Sequence, residues 1–287
     1  MERRMFIFVL LAVFASLALT PAPLWAAGGS SFSVAQSGEN LAYSLKQDDG
    51  EAGGRLALSS LTVSGQRVEI YQEGKQLQAS VSQTGENLSA AIEQYGSRNQ
   101  ATVEQSGQEL SAAVFQQGDG LRASLSQTGQ GHWAEINQQG SRLAASISQT
   151  GQNNQAAISQ TGEGHDALIQ QNGSGNRADI QQSGANGRAE ISQNGSDNLA
   201  EIISQGSANQ AFINQEGLAN QAFINQGAWA GLAGNNYASI LQQGNYNLAS
   251  ISQMGAFNTA TIQQYGNANF ASIVQRGSHN QAYVVQR

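Results

Sequence analysis

Gln94-Tyr95-Gly96-Ser97-Arg98-Asn99-Gln100-Ala101-Thr102-Val103-Glu104-Gln105 is the stretch that decides the fold. Ala101, Val103 and Gln105 stand two apart, so an extended chain projects them from one face and the residues between them from the other. A helix, at about 3.6 residues per turn, would scatter the same three around its axis. Gly96 accepts positive φ, and the Asn99 amide can bond nearby backbone, so the residues before Gln100 carry turn chemistry. The stretch reads as a tight turn followed by a strand of about five or six residues.

Outward from this stretch the pattern repeats every eleven residues. Glycine keeps the spacing from Gly74 to Gly217, through Gly85, Gly96, Gly107, Gly151 and Gly195, and resumes from Gly244 to Gly277 through Gly266. Glutamine precedes the glycine by two: Gln83, Gln94, Gln105, Gln127, Gln149, Gln160, Gln193, Gln253, Gln264 and Gln275, with Ser204 a rare exception. An aliphatic residue precedes it by four: Ile92, Val103, Ile136, Ile147, Ile158, Ile180, Ile191, Ile213, Ile251 and Ile262. Six before it stands alanine, as at Ala79, Ala90 and Ala156. Three after it stands asparagine: Asn99, Asn154, Asn176, Asn198, Asn209, Asn220, Asn258 and Asn269. Leu88, Leu110, Leu121 and Leu143 take that place in the N-terminal half.

One such strand cannot bury its Ala-Ile-Gln face. Units stacked at about 4.8 Å place each side chain over its equal, with backbone bonds between rungs. Glutamine and asparagine, costly in a core when unpaired, then bond along ladders of their own kind. Two eleven-residue units make one rung, a pair of strands facing each other across a thin core. The fold class is all-β, a β-solenoid held by neighbour contacts.

Composition agrees. Both prolines of the chain, Pro21 and Pro23, precede the repeats, so no proline interrupts the ladders. There is no cysteine to brace the chain. Charged residues are 11 % and the formal net charge is −7, which leaves no basic footprint for nucleic acid or anionic lipid. The glutamine- and glycine-rich content alone would suit a disordered tract; the repeat's order argues otherwise.

The organisation expected is a signal peptide over 1–27, an N-terminal segment over 28–66 and a repeat solenoid over 67–287, interrupted near 227–233. Basic residues, an apolar run from Met5 to Thr20 and a small-residue end at Ala26-Ala27 give the three parts of a secretory signal. Within 28–66, two repeat-like units (Phe32-x-Val34-x-Gln36 and Tyr43-x-Leu45-x-Gln47) precede an irregular insertion from Asp48 to Gln66, read as a loop, an irregular rung with a strand near Leu56 to Val63, or a hinge. The interruption carries Trp229 in about five extra residues, read as a bulged turn in preference to a docking point.

The repeat resembles that of the curlin family, Gln-x-Gly-x-x-Asn-x-Ala-x-x-x-Gln, met here as Gln94 to Gln105, Gln149 to Gln160 and Gln264 to Gln275. The resemblance implies a subunit of a curli-type amyloid fibre (a fimbrium), secreted through outer-membrane assembly machinery, with itself and other curlin-like subunits as partners. Adhesion and biofilm matrix are the roles it implies, by edge-strand templated assembly. The repeats look closer to the minor, nucleating subunit, as in Ser207-Ala208-Asn209-Gln210-Ala211, than to the major one. The nucleator's basic C-terminal extension is missing, and both roles stay open.

Nothing in the chain outlines an active site, and no cofactor or metal is expected. His132 and His165 take the asparagine place, and His279 precedes Asn280. Asp179, Glu190 and Glu201 share one outward phase, which suits solvated charges that limit sideways sheet association better than a catalytic pair. The alternative is a monomeric solenoid adhesin or surface binder, such as an ice binder. Its flat face needs a regular row, and Ser80, Ala91, Thr102, Ala113, Ser124 and Glu135 look mixed.

Overall fold

The computed structural model describes residues 65–227 and 234–287 with their side chains, and Ser31–Ser37, Ala42–Asp49 and Arg55–Thr62 as backbone strands. The signal peptide expected over 1–27 and the Trp229 bulge lie outside the described residues. Among the described residues there are strands and turns and no helix.

Strands alternate between two parallel sheets, twelve in the first and eleven in the second, each strand pairing with those two steps away in the chain. Gln78–Glu86 belongs to the first sheet and Ser89–Ser97 to the second. Register follows the repeat: Ala90↔Ala112, Ile92↔Val114, Gln94↔Gln116 and Gly96↔Gly118. One rung is therefore two repeat units, with a strand in each sheet.

Most repeat strands run nine residues, as in Ser89–Ser97, instead of the five or six expected. Pairing carries on through the glycine and one residue beyond, so the glycine lies inside the strand and the corner comes later. The left-handed corner residue is two past the glycine, for example Arg98 (φ 57) after Gly96. Corners also bond between rungs: the Arg98 N–H donates to Lys75 O at 2.9 Å, and the Gln100 N–H to Leu121 O at 2.8 Å. Rung-to-rung bonding thus runs round the turn and satisfies backbone groups that a loose loop would leave to water.

The core is a narrow strip of alanine and isoleucine pointing inward from both sheets. Val103, Ile147, Ile191, Ile213 and Ile262 come from the first sheet, and Ile92, Ile136, Ile158, Ile180 and Ile251 from the second. Each is 2 % exposed or less. Full burial of such a side chain contributes about 1.5–3 kcal/mol.

Arg55–Thr62, inside the stretch expected to be irregular, pairs with both Ser31–Ser37 and Gln78–Glu86. It carries a register shift between Ser59 and Leu61, which sets Leu61 level with Gln36 and Gln83. At the other interruption the register resumes after a step five longer than the usual rung, Gln210↔Tyr237 and Gln221↔Leu248.

Candidate functional site

The feature with functional weight is the set of stacked polar columns. Each inward glutamine takes the next inward strand position after the aliphatic residue, where its amide meets the amide of the next rung. In the first sheet the column runs unbroken from Gln83 through Gln105, Gln127, Gln149, Gln171, Gln193, Gln215, Gln242 and Gln264 to Gln286, with Nε2 donating to Oε1 at 2.7–2.9 Å. In the second sheet Gln72, Gln94, Gln116, Gln138, Gln160 and Gln182 form one run. Gln226, Gln253 and Gln275 form another. The second Nε2 hydrogen crosses the core to the opposite corner, as from Gln94 to Gln78 O at 3.1 Å and from Gln193 to Arg177 O at 3.0 Å. One side chain thereby ties rung to rung and sheet to sheet.

Ser204 breaks the second column. It is too short to reach either neighbour, and the buried Gln182 Nε2 and Gln226 Oε1 on its two sides find no protein partner.

The asparagines fall into two columns, one at each edge of the solenoid. Asn154, Asn176, Asn198, Asn220, Asn247 and Asn269 stack in one. Asn209, Asn236, Asn258 and Asn280 stack in the other. The side chains turn inward and are almost wholly buried through most of both columns. Asn154 is representative: Nδ2 donates to Thr150 O at 3.1 Å and Gly173 O at 3.0 Å, while Oδ1 accepts from the Asn176 N–H at 3.0 Å. Asn99 stands apart, accepting from the Leu121 N–H at 3.1 Å. Leu88, Leu110, Leu121 and Leu143 fill the same inward place in the N-terminal half.

His132 and His165 join those columns as asparagine surrogates. His132 Nδ1 accepts from the Asn154 N–H at 3.1 Å, and Nε2 lies 3.1 Å from Thr128 O, so the proton sits on Nε2. His165 Nδ1 accepts from the Gly187 N–H at 3.0 Å. Burial holds both imidazoles below their ordinary value, against a smaller upward pull from nearby backbone groups.

The glycines answer to the stack as much as to the turn. Gly96 has φ 110, and a Cβ there would come within 2.1 Å of Gly118 O on the next rung. Gly85, Gly107, Gly151 and Gly195 meet the same obstacle at 1.8–2.1 Å. At Gly266 the nearest atom would be Asn269 Nδ2 at 3.9 Å.

The three acids with one outward phase divide between the sheets. Asp179 and Glu201 are register partners on the second, and Glu190 is on the first, where Arg188 lies 3.6 Å away. Phe212 and Phe223 likewise lie on opposite sheets; Phe212 pairs with the Tyr237 ring at 5.7 Å. Among the described residues no group of three or more His, Cys, Asp or Glu could hold a metal ion.

Sequence reading passed over the Ser204 gap as a mere exception, and it missed the zigzag contact of Tyr71, Tyr95 and Phe115. These rings sit in alternate repeat units, and only sorting the strands by sheet brings them together.

These features define a parallel β-solenoid with two-strand rungs and polar columns along its core. A family model described as "Curlin associated repeat" matches residues 67–96, 96–129, 133–162, 151–184, 174–206, 184–217, 234–266 and 266–287. The chain belongs to the curlin family, and its repeats mark it as a structural subunit of curli type. Compared with curated proteins, the chain matches none.

Proposed function

We propose that the chain is exported and adds end to end into an extracellular amyloid fibre at the cell surface, serving adhesion and the biofilm matrix without catalysing a reaction. Curlin-like subunits, including further copies of this chain, are the partners, delivered by outer-membrane assembly machinery. The observation that carries the reading is that the columns repeat in register from rung to rung through both sheets. Among the described strands Phe270–Ser278 and Gln281–Gln286 are paired on one side only, and a further strand laid in register there, over Gln275 and Gln286, would make the bonds an inner rung makes.

The purified chain should pass from soluble protein to sedimentable fibres with a meridional reflection near about 4.8 Å. Monomer that persists at high concentration refutes the proposal. Traces of the chain added to another curlin-like subunit separate the roles: a lost lag marks a nucleator, an unchanged one a bulk subunit.

One observation favours the second reading, a surface-binding adhesin. The outward row that looked mixed alternates between sheets. Sorted by sheet, it reads Ser80, Thr102, Ser124, Ser146 on the first and Ala91, Ala113, Glu135, Ala157 on the second. The first sheet thus carries a hydroxyl row over four rungs, which Leu168 ends. Binding to a periodic surface by a stable monomer would promote this reading.

A further inference from the structure

The corner that leads from the second sheet into the first carries, in successive rungs, Gln76, Arg98, Gly120, Arg142 and Gly164 in the left-handed conformation. Bonds between rungs fix that order: the Gly120 N–H donates to Ser97 O and the Arg142 N–H to Asp119 O, both at 2.9 Å. Arg98 and Arg142 are thus two rungs apart, about 10 Å at the spacing of parallel strands. Between them Gly120 leaves a notch. A Cβ added there would meet no atom within 4 Å, whereas at Gly164 it would come within 2.4 Å of Asn186 Oδ1. Gly65, Gly131 and Gly175, at the opposite corner, are closed in the same way by an Asn or Asp side chain.

Arg98, Asp119, Gly120, Arg122, Ser141 and Arg142 line one open recess around this notch. Three guanidiniums therefore stand against one carboxylate there, in a chain whose formal net charge is −7. Asp119 is already committed: it accepts from Arg98 Nε at 2.9 Å and from the Ser97 hydroxyl. Arg142 pairs with Glu163 on the rung beyond, outside the recess. Arg122 opens the first-sheet strand of the Gly120 rung, is exposed, and makes no ion pair among the described residues. Its neighbours in the stack, Gln100 and Ala144, bring no opposing charge. Two rungs on, Asp166 takes the place of Arg122, so the Gly164 corner is both filled and acidic.

We propose that the Gly120 notch binds a phosphate or sulfate group, with Arg122 as its principal cation and Arg98 and Arg142 closing it from the rungs on either side. Guanidinium forks match the oxygens of such a group, and charge-assisted bonds of this kind are stronger than neutral ones. The Ser141 hydroxyl supplies a further donor. No stretch of sequence announces the site, because the coil brings residues 98, 120, 122 and 142 together across three rungs. It is built within one folded chain and needs neither a second copy nor an open end.

The probe is inorganic phosphate titrated into the folded full chain and followed by phosphorus NMR, with circular dichroism monitoring the fold. Binding should saturate at low salt and weaken as salt rises. Arg122→Gln should weaken it about tenfold. Gly120→Asn keeps every charge, suits a left-handed corner, and fills the notch; it should weaken binding by a similar factor. Arg177→Gln, on the second sheet, should leave it unchanged. Competition by vesicles bearing phosphatidic acid assigns the group to a lipid headgroup, competition by a sulfated oligosaccharide to a glycan, and competition by neither to the free ion. Equal affinity in the unaltered chain and Arg122→Gln, or undiminished binding by Gly120→Asn, overturns the proposal.

Discussion

Replacing Ser204 by glutamine should stabilise the solenoid at the break in its second glutamine column. In the intact columns each glutamine accepts from the rung before and donates to the rung after, as Gln160 does to Gln182 at 2.9 Å. At residue 204 that chain stops, leaving Gln182 Nε2 and Gln226 Oε1 buried without protein partners. An unpartnered buried polar group costs about 1–3 kcal/mol, so the pair is worth about 2–6 kcal/mol. Ordering a glutamine side chain costs about 1.5–2 kcal/mol, and the more compact serine gives little of that back. The expected net gain is about 2 kcal/mol. Solenoid stability is a sum of nearest-neighbour terms, so the gain should be local. Hydrogen exchange should slow in Arg177–Ala185, Leu199–Ser207 and Gln221–Gly227, with distant rungs unchanged. The converse substitution, Gln138→Ser, should speed exchange around Trp133–Ser141 by a similar factor. If Ser204→Gln leaves exchange unchanged or accelerates it, the view that the amide column stabilises the core is wrong.

Three further outcomes follow from the same geometry. Both core histidines have lowered values in the folded chain, so the folded state binds fewer protons than the unfolded one; stability should hold above about pH 6.5 and fall below it, until the folded imidazoles themselves protonate. Denaturation midpoints against pH measure this, and the double change His132→Asn, His165→Asn should flatten the profile between about pH 5 and 7. Gly140→Ala would place a Cβ 1.9 Å from Gly162 O and should cost at least about 3 kcal/mol by denaturant titration. Gly266→Ala meets no atom of its own chain closer than 3.9 Å, so it should cost only the strain of its positive φ, about 1–3 kcal/mol, yet slow fibre elongation, read by seeded sedimentation.

How far the sequence could be read depended on which neighbour a residue answers to. Ala101, Val103 and Gln105 answer to strand periodicity, so the all-β class, the two-unit rung and the inward glutamines were legible from spacing alone. The length of the strand was not. Gly96 suggests a turn by local rules, but its role is set by Gly118 on the next rung, which lets pairing continue through it. Asn99 was legible as a turn residue that bonds nearby backbone, as it does to Tyr95 O, but its further bonds to Gly118 O and the Leu121 N–H are set by the next rung. The outward rows were misread for another reason. Consecutive units lie on opposite sheets, so reading down the chain mixes two faces that never meet, as with Ser80 and Ala91.

The inward corner positions show how the two halves of the stack differ. One column runs Leu88, Leu110, His132, Asn154 and then asparagines; the other runs Asn99, Leu121, Leu143, His165, Gly187 and then asparagines. A leucine there buries apolar surface and offers the next rung's corner N–H no side-chain acceptor, whereas an asparagine demands an aligned rung on either side. The histidines stand where leucine gives way to amide. His132 follows Leu110 in its column and receives the Asn154 N–H from the next rung, as an asparagine would. Register tolerance should therefore change along the solenoid. In the leucine-cornered rungs the glutamine columns alone fix the register, while the asparagine-cornered rungs lose corner bonds as well for the same displacement. Under the proposed templated assembly, which needs strict register, the C-terminal half is the part of this chain expected to impose its spacing on an added strand.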